Sequence, residues 1–243
     1  MIADLRKLWQ EAFHEPDDFT DLFFTKIYSP DRCHCILDND VPVSALYWFD
    51  CDLAGHKLAY IYAVATLKSH RGKGLASQLL EEAHALLRRQ GYAGVILVPA
   101  GEALFDFYQK HGYAPVTTSS KFSCDAGAAP VEIREISPEE YVRLLPGFLP
   151  EGGVTPGETM LRFLQGYCKF YAGTDFLLVC EKTEDGIWGQ ELLGNTQAAP
   201  GILKALNAPK GRFRCPGTDR NFAMWLPLDG DCPKPGWFGP ALD

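Results

Sequence analysis

Leu67-Lys-Ser-His-Arg-Gly-Lys-Gly-Leu-Ala76 is a glycine-bearing loop that runs from an apolar strand into an amphipathic helix. Upstream, Leu58-Ala-Tyr-Ile-Tyr-Ala-Val-Ala-Thr66 is rich in β-branched and aromatic residues, while downstream Leu75, Leu79, Leu80, Ala83, Leu86 and Leu87 recur at helical spacing. The first amides of such a helix have no partner, and its dipole adds partial positive charge at the same end. An anion belongs there. Gly72 and Gly74 remove the side chains that would hold a phosphate off the backbone, and Arg71 and Lys73 add charge beside it. A tight turn with solvated basic residues is the plainer interpretation of a lone Gly-x-Gly, and the sequence on either side displaces it.

The spacing is neither Gly-x-x-x-x-Gly-Lys-Ser/Thr nor Gly-x-Gly-x-x-Gly. It matches Arg-x-x-Gly-x-Gly/Ala, with Arg71, Gly74 and Ala76 at those positions and Val64-Ala65-Thr66 ahead of them. This resembles the coenzyme A site of the GCN5-related N-acetyltransferase (GNAT) family. Past the helix, Ala93-Gly-Val-Ile-Leu-Val-Pro99 reads as the next strand, and Ala103-Leu-Phe-Asp-Phe-Tyr-Gln-Lys-His-Gly-Tyr113 is similar to the family's second signature, a short helix carrying a tyrosine and ending at Gly-Phe/Tyr. The resemblance covers residues 1–125.

It implies an α/β (α+β) fold with a mixed, mostly antiparallel central sheet. Two neighbouring parallel strands splay apart in that sheet, helices flank it, and a thioester lies in the gap. The implied activity is transfer of an acetyl group from acetyl-CoA, the cosubstrate, to a primary amine of a small molecule or peptide. Val64, Ala65 and Thr66 would pair with the pantetheine arm like an added strand, and the stretch Arg71, Gly72, Lys73, Gly74, Leu75 and Ala76 would cradle the pyrophosphate. An amide near Val64 would polarise the acetyl carbonyl. Tyr108 would protonate the departing thiolate, a phenol of pKa near ~10 donating to a thiol of pKa near ~8.5. Its plainer role is one rung of the apolar face Leu104, Phe105, Phe107, Tyr108. Where some members carry a glutamate base, this chain has Tyr60 and Tyr62. Strand alternation puts these two on one face with Val64, where they line the acceptor pocket, relay a proton or simply pack. A terminal carboxylate at Asp243 is another source of a base. His70 and His111 flank the site without an assigned role. The alternative function is a non-catalytic acyl-CoA-binding module that regulates or scaffolds another protein.

With 243 residues and 47% hydrophobic content the chain can bury a sizeable core. The formal charge of -8 argues against a nucleic-acid partner. No run of ~18 apolar residues suggests a membrane span, and the N-terminus lacks the order of a signal peptide, so a cytoplasmic location is expected. The eight cysteines include no Cys-x-x-Cys pair; Cys33-His34-Cys35 lacks zinc spacing, so reduced thiols without metal or disulfides are expected.

Residues 5–13 and 19–28 read as helices, the second capped by Asp17 or Asp18, and residues 33–37, 42–49 and 58–66 as a β-meander. Composition shifts at Asp125-Ala-Gly-Ala-Ala-Pro130, a linker between a GNAT domain (1–125) and a C-terminal α/β half (126–243). There, 131–136, 176–182, 186–193, 211–215 and 222–228 read as strands. Residues 141–145, 158–171 and 200–206 read as helices, with Ser137-Pro-Glu-Glu140 a capping box and Thr155-Pro156 a helix start. The order echoes the first half, as a degenerate second copy without a phosphate loop. Its expected jobs are to extend the sheet, cover the acceptor pocket or form a homodimer contact.

Overall fold

The computed structural model describes residues 1–242. In chain order the elements are α1 (Ile2–Phe13), α2 (Asp17–Leu22), β1 (Cys33–Asp38), β2 (Val41–Leu53), β3 (His56–Thr66), α3 (Leu75–Arg89), β4 (Gly94–Leu97), α4 (Glu102–Lys110), β5 (Ala114–Pro115) and β6 (Thr118–Asp125). Then come β7 (Arg134–Ile136), α5 (Pro138–Leu144), β8 (Gly153–Pro156), α6 (Glu158–Gln165), β9 (Lys169–Ala172), β10 (Phe176–Thr183), β11 (Gly186–Gly194) and α7 (Ala199–Ala205). Strands β12 (Lys210–Pro216), β13 (Arg220–Asn221), β14 (Met224–Pro227) and β15 (Trp237–Phe238) complete the chain. They form two compact units, Met1–Ala114 with Met224–Cys232, and Pro115–Ala223 with the segment from Pro233 onward.

In the first unit the strands run in the order β1-β2-β3-β4-β14. The β1–β2 turn uses left-handed Asn39 and Asp40, as the Asp38-Asn-Asp40 signal predicts, and the β2–β3 turn uses Ala54 and Gly55. Strand β3 pairs antiparallel with β2, but parallel to β4 only over Leu58–Tyr60 against Gly94–Ile96. Beyond Tyr60 that edge of β3 is open. Helix α3 turns Leu79, Leu80, Ala83 and Leu87, all 0% exposed, onto Ala59, Ile61, Val95 and Leu97. Each such leucine contributes about 1.5–3 kcal/mol by leaving water. The outer strand β14 returns from late in the chain to pair with β4, and its Trp225 lies so close over Gly94 that a Cβ there would stand 1.9 Å from Cη2.

The second unit has its own sheet, ordered β13-β6-β12-β11-β10-β9-β7, with a β8–β15 parallel pair beside it. It repeats the splay. Strand β11 is parallel to β12 only over Ile187–Gly189 against Gly211–Phe213. Helix α7 packs Ile202 and Leu203 on Phe213 and Leu178.

Several sequence expectations change. The second helix is α only to Leu22 and continues as a π turn over Phe23–Ile27; its N-cap is Pro16, with Asp17 and Asp18 in the first turn instead of at the cap. Thr155-Pro156 is strand, not helix start: Gly157 caps α6, which stops at Gln165 because Gly166 follows and Lys169–Ala172 pairs with β10. The apolar spacing of 158–171 therefore merges a helix and a strand. Only Arg134–Ile136 of the 131–136 segment is strand. Strand β6 has no counterpart among the sequence expectations: Thr118–Asp125 is mostly polar, with Phe122 its one large apolar side chain, yet it pairs along β12. The Ser137 cap is present, its hydroxyl accepting from Glu140 N–H. Among the described residues no helix is long and apolar enough to cross a membrane, no group of three or more His, Cys, Asp or Glu stands ready for a metal, and all eight cysteines are free thiols.

Candidate active site in the first unit

Strand β3 ends at Thr66, and the chain makes one 3-10 turn over Lys68–His70 before α3. Gly72 (φ 76°) and Gly74 (φ 78°) are both left-handed, and neither would place a Cβ within 4 Å of another atom. Gly74 is the N-cap of α3, which has no side-chain cap, and the first helical bond is Gln78 N–H to Gly74 O at 3.1 Å. The amides of Leu75, Ala76 and Ser77 therefore point outward as donors. They open on a cleft of about 210 Å³ lined by Thr66, His70, Arg71, Gly72, Gly74, Leu75, Ala76, Ser77 and Phe107. Lys73 is exposed on the loop beside it.

The loop is held by contacts that the sequence does not suggest. Lys68 N–H donates to Glu11 Oε1 of α1 at 2.5 Å, and Leu67 N–H donates to Val43 O at 2.9 Å. Arg71 Nε–H donates to Thr66 O at 3.0 Å, leaving the end of its guanidinium for an anion. His70 Nε2 lies 3.1 Å from Asp38 Oδ2, and His111 Nε2 lies 3.0 Å from Ser77 Oγ. Both histidines thus brace the cleft wall. None of these partners is periodic with the motif, so only tertiary structure brings them together.

Ala63 is left-handed at φ 52° in mid-strand, and two residues of β3 oppose one of β2 between the Tyr47–Tyr62 and Ala45–Ala65 pairs. This is a β-bulge, and a non-glycine residue there costs about 1–2 kcal/mol. It corrects the expectation that Val64 shares a face with Tyr60 and Tyr62. The extra residue turns Val64 onto the α3 side with Ile61, while Tyr60 and Tyr62 face α1, Tyr62 meeting Trp9 edge-on at 5.6 Å. Tyr60 is 1% exposed and Tyr62 is half-buried. Burial, with the charge of Glu15 behind it, raises the Tyr62 phenol above its ordinary range. Ala65 is buried, and its carbonyl accepts from Ser44 Oγ at 3.0 Å.

Tyr108 lies on α4, 7% exposed, with its ring against Phe107 and Tyr113 at 5.2 and 5.6 Å. Burial pushes its phenol up to about 12, so it stays protonated at neutral pH. Tyr113, the last residue of the second signature, holds α4 to α3: its hydroxyl is 2.7 Å from His84 Nε2, and both are buried. Burial lowers His84 to about 4, so the imidazole is neutral and accepts from the phenol. Asp243 lies outside the described residues.

A family model for the acetyltransferase (GNAT) domain matches residues 2–116. Solved structures similar to this chain include GCN5-related N-acetyltransferases from Kribbella flavida (17% identity, TM-score 0.71, 94% of this chain and 69% of that one) and from Anabaena variabilis (14%, 0.72, 94% and 70%). A tandem GNAT protein from the clavulanic acid biosynthesis pathway matches at 11% identity and TM-score 0.56, over 95% of this chain and 96% of that one. Comparison with curated proteins gives no match. At such identities the structural likeness speaks to fold: a mixed α/β arrangement in two GNAT-type halves, the second without the glycine loop.

Proposed function

Through its first half the protein belongs to the GNAT family of acyltransferases, and we propose that it transfers the acetyl group of acetyl-CoA directly to a primary amine of a small molecule or peptide. The observation that carries this is the loop: two exposed left-handed glycines, then an uncapped helix, beside a strand edge left open beyond Tyr60. In this reading the amides of Gly72 to Ala76 and the cations of Arg71 and Lys73 hold the pyrophosphate, and the open edge of Val64, Ala65 and Thr66 pairs with the pantetheine arm.

The bulge at Ala63 frees a backbone amide near Val64 from the β2 ladder. That amide stabilises the oxyanion formed when the amine nitrogen attacks the acetyl carbon. As the C–S bond breaks, Tyr108 donates its proton to the sulfur, and the proton shed by the newly acylated nitrogen returns to the Tyr108 oxygen through water, so that neutral amine and thioester give amide and free thiol. Burial favours the neutral forms of both phenol and thiol, so the two remain matched in a dry site. Tyr60 is buried behind the acceptor wall that Tyr62 presents. Eight free thiols suit a reducing cytoplasm, where acetyl-CoA is available. Residues 1–125 are read as the transferase domain and 126–243 as a degenerate copy, with β6 of the first stretch pairing into the second unit's sheet and β14 of the second stretch into the first unit's.

Acetyl-CoA with a panel of amines, followed by thiol release, tests this. Wild type is expected to turn over at least one amine and Tyr108→Phe to slow it by about 10²-fold while binding coenzyme equally well. Unchanged turnover in Tyr108→Phe would remove the proton donor. The second reading, a binding-only module, is favoured by one fact: no Asp or Glu stands between Leu58 and Thr66. Coenzyme binding without turnover of any amine would support it.

A further inference from the structure

Within the first unit one buried side-chain donor, Trp9 Nε1, has no hydrogen-bond partner among the described residues. Trp9 is 1% exposed. A sealed, unpaired indole N–H is destabilising, and native proteins retain few such groups. Its surroundings are aromatic: Phe23 at 4.5 Å, Phe24 at 5.6 Å, Tyr47 at 5.4 Å and Tyr62 at 5.6 Å. Tyr62 immediately precedes the Ala63 bulge, so this cluster adjoins the acetyl position of the proposed reaction. Phe23 and Phe24, which close over the indole, both come from the π turn Phe23–Ile27. Such turns are rare and recur at functional sites.

The carboxylates of the same helices are mostly engaged. Asp4 binds the N-terminus and Lys7, Asp17 accepts from Gln10, and Asp21 pairs with Arg6. Asp18 accepts from the Phe19 amide and Glu11 from the Lys68 amide. Asp17, Asp18 and Glu11 thus keep their charge against neutral donors, and Glu15, half-buried just past the left-handed end of α1 at His14, is the carboxylate whose charge is felt at Tyr62. One carboxylate in an aromatic wall suits one ammonium.

We propose that the acceptor is a monoamine on an apolar, ring-bearing body, and that an oxygen on that body accepts a hydrogen bond from Trp9 Nε1 after the π turn shifts to admit it. This rests on the acetyltransferase reading. Glu15 pairs with the incoming ammonium, and the rings of Phe23, Phe24 and Tyr62 cover the apolar body. A polyamine would bring cations that this wall does not match.

The test compares 2-, 3- and 4-methoxyphenethylamine with their ethyl isosteres, and with spermidine, at saturating acetyl-CoA. Wild type is expected to prefer at least one methoxy amine over its isostere by about 3–10-fold in kcat/KM, the worth of one hydrogen bond, and to use spermidine poorly. In Trp9→Phe that ratio falls to about one, while coenzyme affinity is unchanged. In 15N-labelled wild type, the Trp9 indole N–H resonance moves with the preferred methoxy amine and not with its isostere, a readout that needs no variant. A wild-type ratio near one, a ratio unaffected by Trp9→Phe, or preferred use of spermidine overturns the inference and makes Trp9 an ordinary core residue. Failure of wild type to bind acetyl-CoA overturns the acetyltransferase reading instead.

Discussion

The parallel pairs β3–β4 and β11–β12 each separate after three paired positions, and the segments beyond the two separations are opposite in kind. Past Tyr60, β3 leads into a loop with exposed Gly72 and Gly74 and a 15-residue helix whose first amides are free. Past Gly189, β11 leads through Gly194 into a turn capped by Asn195, whose side chain accepts from Gln197 N–H, and then into a 7-residue helix with Pro200 in its first turn. Proline removes a donor where the other helix presents one. The second gap is also filled from within. Arg214, 0% exposed, donates to Gln190 O at 2.9 Å, to Gln190 Oε1 at 3.2 Å and to Ala241 O at 3.1 Å. Beside it Glu191, 1% exposed, accepts from Trp237 Nε1 at 2.7 Å and from the Tyr141 hydroxyl. A splayed pair is thus a fold feature; under the proposed function it takes coenzyme only where the gap stays open and the helix keeps its donors free.

The largest way to break this contrast is Arg214→Ala. It strips three carbonyl-type acceptors of their donor and leaves Glu191 buried without its nearby cation, so the second unit is expected to lose about 3–5 kcal/mol. Thermal melts and hydrogen exchange resolved by unit would show that loss while coenzyme affinity stays put. An equal loss of coenzyme affinity would mean that the plug serves the first unit too.

Acidification should then push the two units in opposite directions. Burial lowers His84 to about 4, below its unfolded value near ~6.5, so the native state resists protonation. The first unit holds this stability above pH ~6.5 and loses it as pH falls toward 4, by about 3 kcal/mol. Burial raises Glu191 above the ordinary carboxylate range, so its contribution is full below the unfolded pKa and is lost as pH rises through the folded one. Unit-resolved hydrogen exchange between pH 4 and 7 checks both signs. His84→Phe should flatten the first profile only.

A smaller effect sharpens the junctions. Asn195→Ala removes the cap of the second turn and is expected to cost about 1 kcal/mol, read as a lower Tm without any gain of coenzyme binding. Gain of a second binding site would show that the cap, and not the missing loop, had kept coenzyme out.

Legibility in the sequence tracks the range of the interactions. The loop and α3 are legible because glycine spacing and leucine periodicity are local, and so are the β-meander turns at Asp38-Asn-Asp40. The bulge at Ala63 is not, since alanine carries no preference for a left-handed backbone, and simple alternation therefore puts Val64 on the wrong face. The polar strand β6 escapes because its pairing with β12 replaces the hydrophobic pattern as its reason to be a strand. Strand β14, more than a hundred residues from β4 in the chain, joins the first sheet through Trp225 over Gly94, which no periodicity announces. Nothing local in the sequence marks Arg214 and Glu191 as buried. Only the Gln190 and Ala241 carbonyls and the Trp237 indole reveal them as core.

Calorimetric titration of acetyl-CoA into wild type and Gly74→Glu tests the central claim most directly. An empty first gap and a filled second one predict a single site per chain. In Gly74→Glu that site weakens at least ~100-fold, because a side chain in a left-handed position and a carboxylate would both meet the pyrophosphate. Two sites per chain, no site, or an unaltered affinity in Gly74→Glu would contradict it.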